Sequence, residues 1–182
     1  MCMQKEGLAT LSQVLLLCDP DANVVLGSGQ KRVVTEAVES AMWGIFMTCP
    51  NKAVESLMEK GVKLLEDRGE KSLEDAYDMF NEIVKIAPEY PEGYNKRATV
   101  LYLQQKFQES VQDCLTVLRK NRHHFGAASG MGMCYIAIGH HADAIEAFEM
   151  AMRINPTLVH LKSYIRYSRR ILLFESDQQN DI

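Results

Sequence analysis

The chain has 182 residues, of which 47% are hydrophobic and 24% are charged, and its formal net charge is -4. These values are typical of one ordinary globular domain. Because the net charge is negative, nothing attracts the chain as a whole to phosphate backbones or anionic membranes, and we expect no nucleic-acid partner. The longest apolar run near the start, residues 11–18, is too short to cross a bilayer, so we expect no membrane span.

The five cysteines are odd in number and widely spaced, and no two form a C-x-x-C pair. This spacing favours neither a zinc site nor a secreted disulfide framework. We expect no secretory signal either, because residues 19–21 replace a small-residue cleavage site. The pattern indicates a soluble intracellular protein in a reducing compartment. It would be cytoplasmic, or organellar (plastid or mitochondrion) if the chain is part of a longer precursor.

Residues 1–32 show the least regular pattern. Residues 19–23 resemble a turn, residues 24–26 are compatible with a short strand, and residues 27–29 with a linker. We therefore expect a poorly ordered or irregular segment here. Apolar residues at three- and four-residue spacing then predict an N-terminal flanking helix over 33–49, which Pro50 ends.

Two stretches of the chain repeat each other at an offset of 68 residues, which is twice 34. The matching positions are Ala76, Phe80 and Pro88 with Ala144, Phe148 and Pro156, and halfway between them lie Ser110, Cys114 and Arg122. A 34-residue period is typical of helix-turn-helix repeats, in which each hairpin buries its apolar face by stacking on its neighbours. The pattern predicts repeats at 53–88, 91–122 and 125–156.

The predicted hairpins have small residues where two helices cross and large aromatic residues around the crossings. The small residues are Ala98, Gly132, Ser110 and Ala144, and the aromatic ones are Tyr94, Phe80, Tyr135 and Phe148. In the first repeat, residues 67–72 predict a turn about three residues longer than this kind of repeat usually has.

The residues after Pro156 predict a capping helix over 157–174. Leu161 and Ile165 fall on its inward face, and four basic residues fall on the solvated face. These are Lys162, Arg166, Arg169 and Arg170. The polar tail, 175–182, is expected to be frayed.

The repeats at 53–156 resemble the tetratricopeptide repeat (TPR) family. The blocks EGYNKRAT at 92–99 and HHFGAASG at 123–130 are similar to a bacterial-type subgroup that also occurs in organelle-bearing eukaryotes. In that subgroup a helix with aromatic residues, here Trp43 and Phe46, precedes the first repeat. The resemblance implies an all-α fold, a right-handed superhelix (α-solenoid) of about three helix-turn-helix units with flanking N- and C-terminal helices.

The resemblance also implies a concave wall made by the first helix of each repeat, where a partner protein segment binds. Its lining would be Met58, Glu59, Val62, Asn95, Lys96, Thr99, Tyr102, Ser129, Gly130 and Met133. One subset of the family clamps the C-terminal carboxylate of heat-shock chaperones through five polar side chains. The matching positions here hold Met58, Val62, Lys96, Gly126 and Gly130. That partner is therefore not expected.

We expect a non-enzymatic protein-interaction scaffold or assembly factor. The alternative is a structural role, either in self-association or as a subunit of a larger complex. A weaker alternative is contact with a partner through the basic C-terminal helix. No nucleophile, base and orienting group can be assembled from the sequence, so neither enzymatic activity nor a cofactor is expected. The adjacent pairs His123-His124 and His140-His141 fall near turns, and we interpret them as solvated loop histidines rather than metal ligands.

Overall fold

A computed structural model describes residues 2–17 and 28–180 of the chain. These residues form nine helices and no strand, so the prediction of an all-α helical-repeat fold is confirmed. The helices are α1 (Cys2–Leu17), α2 (Ser28–Phe46), α3 (Lys52–Asp67), α4 (Glu70–Ile86), α5 (Pro91–Leu103), α6 (Phe107–Lys120), α7 (Phe125–Ala137), α8 (His141–Ile154) and α9 (Leu161–Asn180). None of these helices is both long and apolar enough to cross a membrane.

The helices belong to two compact units. The central unit is Phe46–Arg122, and the terminal unit joins the described residues up to Ile45 with those from His123 onward. The central unit contains the two hairpins α3–α4 and α5–α6. The terminal unit contains the hairpin α7–α8, together with α1, α9 and the part of α2 up to Ile45.

In the central unit, small residues let the two helices of each hairpin approach closely. A Cβ atom on Gly61 would lie 2.6 Å from the ring of Phe80, so α3 needs a glycine at this point. In the next hairpin the Ser110 hydroxyl donates to the carbonyl oxygen of Ala98 at 2.8 Å. The crossing positions predicted from the repeat pattern therefore lie between paired helices.

The turn expected over 67–72 is shorter than predicted. α3 continues to Asp67 and α4 begins at Glu70, so only Arg68 and Gly69 lie outside a helix. Arg68 adopts a left-handed conformation with φ 53°, and the Ser72 hydroxyl donates to the Asp67 carboxylate across the turn. The inserted residues lengthen the helices, which have 16 and 17 residues against 13 and 14 in α5 and α6. Each added helical residue gains a backbone hydrogen bond that a longer loop would lack.

In the terminal unit, α8 lies at the centre of the packing. A Cβ atom on Gly132 of α7 would lie 2.6 Å from the Phe148 ring of α8. From the C-terminal side, α9 buries Leu161 and Ile165, and Tyr164 stacks on Phe148 with 5.5 Å between ring centroids. α9 extends to Asn180, so the tail expected to be frayed is helical as far as that residue.

The structure differs from the expectation of an irregular N-terminal segment, because α1 covers Cys2–Leu17 and α2 already begins at Ser28. The predicted turn at 19–23 and strand at 24–26 lie outside the described residues. In α1, Leu8, Ser12 and Leu15 are buried, and the Ser12 hydroxyl donates to the carbonyl oxygen of Ile154 at 2.9 Å. A serine in the buried stripe interrupts the apolar period, which is why the sequence pattern did not reveal this helix.

Within the terminal unit, α2 packs on the third repeat. Trp43 lies edge-on to the ring of Phe125, with 5.3 Å between centroids. Glu39 accepts a hydrogen bond from Asn155 Nδ2 at 2.7 Å, and the Thr157 hydroxyl also donates to this carboxylate. The N-terminal flanking helix is therefore joined to residues more than a hundred positions later in the chain.

The packing in α8 predicts a sharp difference between two alanines. Ala144 is completely buried at the helix crossing, whereas Ala142 is exposed on the same helix. We expect Ala144→Leu to lower the free energy of unfolding by about 1 to 3 kcal/mol through overpacking, while Ala142→Leu leaves it within about 0.5 kcal/mol. Urea denaturation of both variants measures the difference, and equal losses would contradict the assigned helix register.

Candidate functional site

The candidate site in the central unit starts from the first turn of α5. Pro91 occupies the first helical position, where its missing N–H costs nothing, and Glu92 follows it. The positive end of the helix dipole favours a carboxylate here. Glu92 is completely buried, which is rare for a glutamate and requires charged or polar partners.

Two neighbouring side chains of α5 bind the buried carboxylate. Glu92 Oε1 accepts a hydrogen bond from Asn95 Nδ2 at 2.9 Å and lies 3.3 Å from Lys96 Nζ. Lys96 keeps 23% of its side chain exposed. Glu92 therefore holds an amide and an ammonium group at the surface, and its negative charge offsets that of Lys96.

Further along α5, Thr99 and Tyr102 continue the same face at three- and four-residue spacing. Thr99 is exposed, and its hydroxyl donates to the carbonyl oxygen of Asn95 at 3.0 Å. Tyr102 is half-buried and lies edge-on to Phe107, with 5.5 Å between ring centroids. The face therefore combines polar groups with one accessible aromatic ring.

The three predicted residues of α3 divide between core and surface. Met58 is only 3% exposed and belongs to the hydrophobic core of the central unit, so it offers little surface to a ligand. Glu59 is exposed and Val62 is half-buried. The remaining predicted residues lie on α7 in the terminal unit, where Ser129, Gly130 and Met133 are half-buried and the Ser129 hydroxyl donates to the carbonyl oxygen of Gly126 at 3.0 Å.

An ion pair that the sequence analysis missed joins α5 to α6. Arg97 donates to both carboxylate oxygens of Asp113 at 2.7 Å and to Asn81 Oδ1 at 2.8 Å. The hydrogen bond with Asp113 raises the pKa of Arg97 above its usual value, so the guanidinium stays charged. These contacts join α4, α5 and α6. Each partner is 16 residues from Arg97, a spacing that no single-helix rule detects. By contrast, Glu92 and Lys96 lie four residues apart on one helix, and this i,i+4 spacing could have predicted their ion pair from the sequence.

The interpretation of all four paired histidines as solvated loop residues is wrong for two of them. His124 is completely buried, and its Nδ1 accepts a hydrogen bond from the backbone N–H of Ala127 at 3.0 Å, which caps α7. His141 is also buried, with Nδ1 3.4 Å from the Ser168 hydroxyl. Helix N-termini need such acceptors, because their first N–H groups lack partners within the helix. Across the described ranges no cluster of His, Cys, Asp and Glu side chains is arranged to hold a metal ion.

The basic residues of α9 form a second candidate surface. All four predicted cations are exposed: Lys162, Arg166, Arg169 and Arg170. Of these, Arg169 pairs with Glu149 of α8 at 2.9 Å.

Comparison with known proteins supports the repeat assignment. No protein-family model matches the chain. A TPR repeat-containing protein of Rhizobium etli is 32% identical over 81 residues, which cover 44% of this chain and 40% of that protein's length. The chain therefore matches less than half of this relative.

Solved structures show the same fold at lower identity. The first TPR of Spaghetti (RPAP3), bound to an HSP90 peptide, has a TM-score of 0.64 and 20% identity and covers 70% of this chain and 98% of its own. The TPR domain of Arabidopsis OM64 has a TM-score of 0.61 and 21% identity and covers 65% of this chain and 96% of its own. The 34-residue period, the close-packed hairpins and these matches together show a helical-repeat fold similar to that of TPR domains.

Proposed function

We propose that the chain is a non-enzymatic protein-interaction scaffold or assembly factor, and that the face of α3 and α5 in the central unit holds a segment of a partner protein. The observation that carries this proposal is the buried carboxylate of Glu92. Burying a carboxylate costs stability even when it is paired. Supporting residues that fix the surface groups around them are typical of a binding site, and Glu92 fixes Asn95 and Lys96.

The chemistry of this face indicates what kind of segment it accepts. Val62 and Tyr102 offer apolar contact, and Asn95 and Thr99 offer hydrogen bonds. The charge of Lys96 is offset by Glu92. A segment with apolar and uncharged polar side chains suits this surface better than an acidic one. The HSP90 peptide held by the Spaghetti domain supports the idea that a TPR fold holds a short partner segment.

A pair of threonines provides a matched test. Thr99 donates to the carbonyl oxygen of Asn95 on the proposed face, and Thr116 donates to that of Gln112 on α6. The Thr116 hydroxyl also accepts a hydrogen bond from Arg119 at 2.7 Å. Some protein in an extract of the source organism should bind the unmodified chain. We expect the Thr99→Lys variant not to capture that protein, because the long charged side chain obstructs the face. Thr116→Lys should retain that protein. Quantitative mass spectrometry of the captured proteins compares the three baits, and equal capture by both variants would contradict the proposal.

Two further measurements make this test specific. The HSP90 peptide SRMEEVD, titrated calorimetrically, should bind with a dissociation constant no better than about 1 mM, because Met58 lies in the core and Lys96 is already paired. Micromolar, salt-sensitive binding would instead assign the face to acidic C-termini. Sedimentation equilibrium of the native chain tests self-association. A dimer that Thr99→Lys alone disrupts would assign the face to a second copy.

A further inference from the structure

α9 repeats the register of the first helix of a TPR hairpin. Gly93 of α5 faces Ile83 of the preceding helix, since a Cβ atom there would lie 2.7 Å from that side chain. Two 34-residue periods after Gly93 stands Leu161, which is only 2% exposed where α9 packs on α8. α9 therefore occupies the place of the first helix of a fourth hairpin. Up to Asn180, where the described residues end, no second helix of that hairpin follows.

The face that a second helix would cover carries an unusual residue. In α3, α5 and α7 the residue that meets the second helix of its own hairpin is small: Gly61, Ala98 and Gly132. Thirty-four residues after Gly132 stands Arg166, whose side chain is exposed. A helix that seats here must pack farther from α9 than α8 packs from α7, and it must accommodate a guanidinium group.

An open groove of about 610 Å³ lies at this place, between α8, α9 and the end of α1. Its apolar lining comes from Leu16, Met152, Pro156 and Ile165. A groove with an apolar floor along two helices is the kind of surface on which an amphipathic helix lays its apolar face.

The rim of the groove is strongly basic. Four cations line it: Arg153, Lys162, Arg166 and Arg169. Glu149 pairs with Arg169 at 2.9 Å, whereas the other three form no ion pair with any described residue. The whole chain has a formal net charge of -4, so this concentration of positive charge is local and complementary to an acidic ligand.

We propose that this groove binds an acidic amphipathic helix of a partner protein, seated where the second helix of a fourth hairpin would lie. The apolar face of the bound helix covers Leu16 and Met152, and its carboxylates pair with Arg153, Lys162 and Arg166. An uncharged or basic helix would bury these cations without partners, so the rim selects for acidic sequences. The site lies wholly within the terminal unit and is independent of the face proposed on α3 and α5.

A synthetic peptide with the sequence of α4, residues 70–86, is a suitable probe, with blocked termini and a fluorescent label. It has the pattern of a second TPR helix, and its five acidic residues outnumber its two lysines. We expect it to bind the full chain in fluorescence anisotropy at low salt. A peptide with glutamine at all five acidic positions should bind at least tenfold more weakly.

Two arginines of α9 with exposed side chains give matched variants. Arg166 lines the groove and Arg170 does not. Arg166→Glu should weaken binding of the acidic peptide at least tenfold, whereas Arg170→Glu should change it less than twofold. Both variants should keep the helical circular dichroism of the native chain, since both side chains are exposed.

Several results would overturn this inference. They are an absence of binding at 1 mM peptide, equal losses in the two arginine variants, or equally tight binding of poly-glutamate, which would show general attraction to polyanions. A dimer of the native chain that Arg166→Glu abolishes would show instead that a second copy occupies the groove. Because Thr99 lies outside this groove, Thr99→Lys should leave peptide binding unchanged. The proposal for the face of α3 and α5 can therefore fail without affecting this test.

Discussion

Replacing Phe148 by alanine should lower the free energy of unfolding by about 3 to 5 kcal/mol, which is a large part of the stability of an ordinary domain. The ring is completely buried, faces Gly132 of α7 and stacks on Tyr164 of α9. It therefore joins three helices of the terminal unit. The cavity left by the substitution cannot be filled from α7, because Gly132 has no side chain to move into it.

Phe174→Ala is the matched control. It makes the same chemical change at a residue that is 62% exposed on α9, and it should alter the free energy of unfolding by less than about 0.5 kcal/mol. Urea denaturation followed by circular dichroism measures both variants. A loss below about 1 kcal/mol for Phe148→Ala would contradict the packing described for α8.

The second large effect is expected at Arg97. Arg97→Ala leaves the carboxylate of Asp113, whose side chain is 8% exposed, without its bidentate partner. Removal of one partner of a buried ion pair costs about 3 to 5 kcal/mol. Because the Arg97 side chain is 18% exposed and water reaches part of the pair, we expect a loss of about 3 kcal/mol.

Two controls separate an unpaired charge from lost packing. Arg169→Ala removes the exposed pair with Glu149, whose side chains are 60% and 40% exposed, and should cost less than about 1 kcal/mol. Adding Asp113→Asn to Arg97→Ala removes the unpaired charge and should recover part of the loss. If the double variant is as unstable as Arg97→Ala, the penalty does not come from the charge of Asp113. Chemical denaturation of the three variants decides between these outcomes.

The repeat pattern predicted the all-α helical-repeat fold, since each hairpin buries its apolar face locally. A residue such as Phe148 lies at the same point of the 34-residue period as Phe80, and both are completely buried. The residues of the candidate site were predicted less completely. The family resemblance implied that Asn95, Lys96 and Thr99 share one face of α5, but it gave no reason to expect that the adjacent Glu92 is buried and holds two of them in place.

The sequence by itself therefore determined the fold class, the helical hairpins and the small residues at their crossings, because a local apolar period specifies which face of a helix is buried. It does not specify what covers that face. Only the tertiary structure revealed the buried Ser12 of α1 against Ile154, and the Glu39 carboxylate joined to Asn155 across 116 positions. The three-way contact of Arg97 also depends on α4, α5 and α6 lying side by side. These contacts pair polar groups from separate helices, and no periodicity along the chain records such a partner.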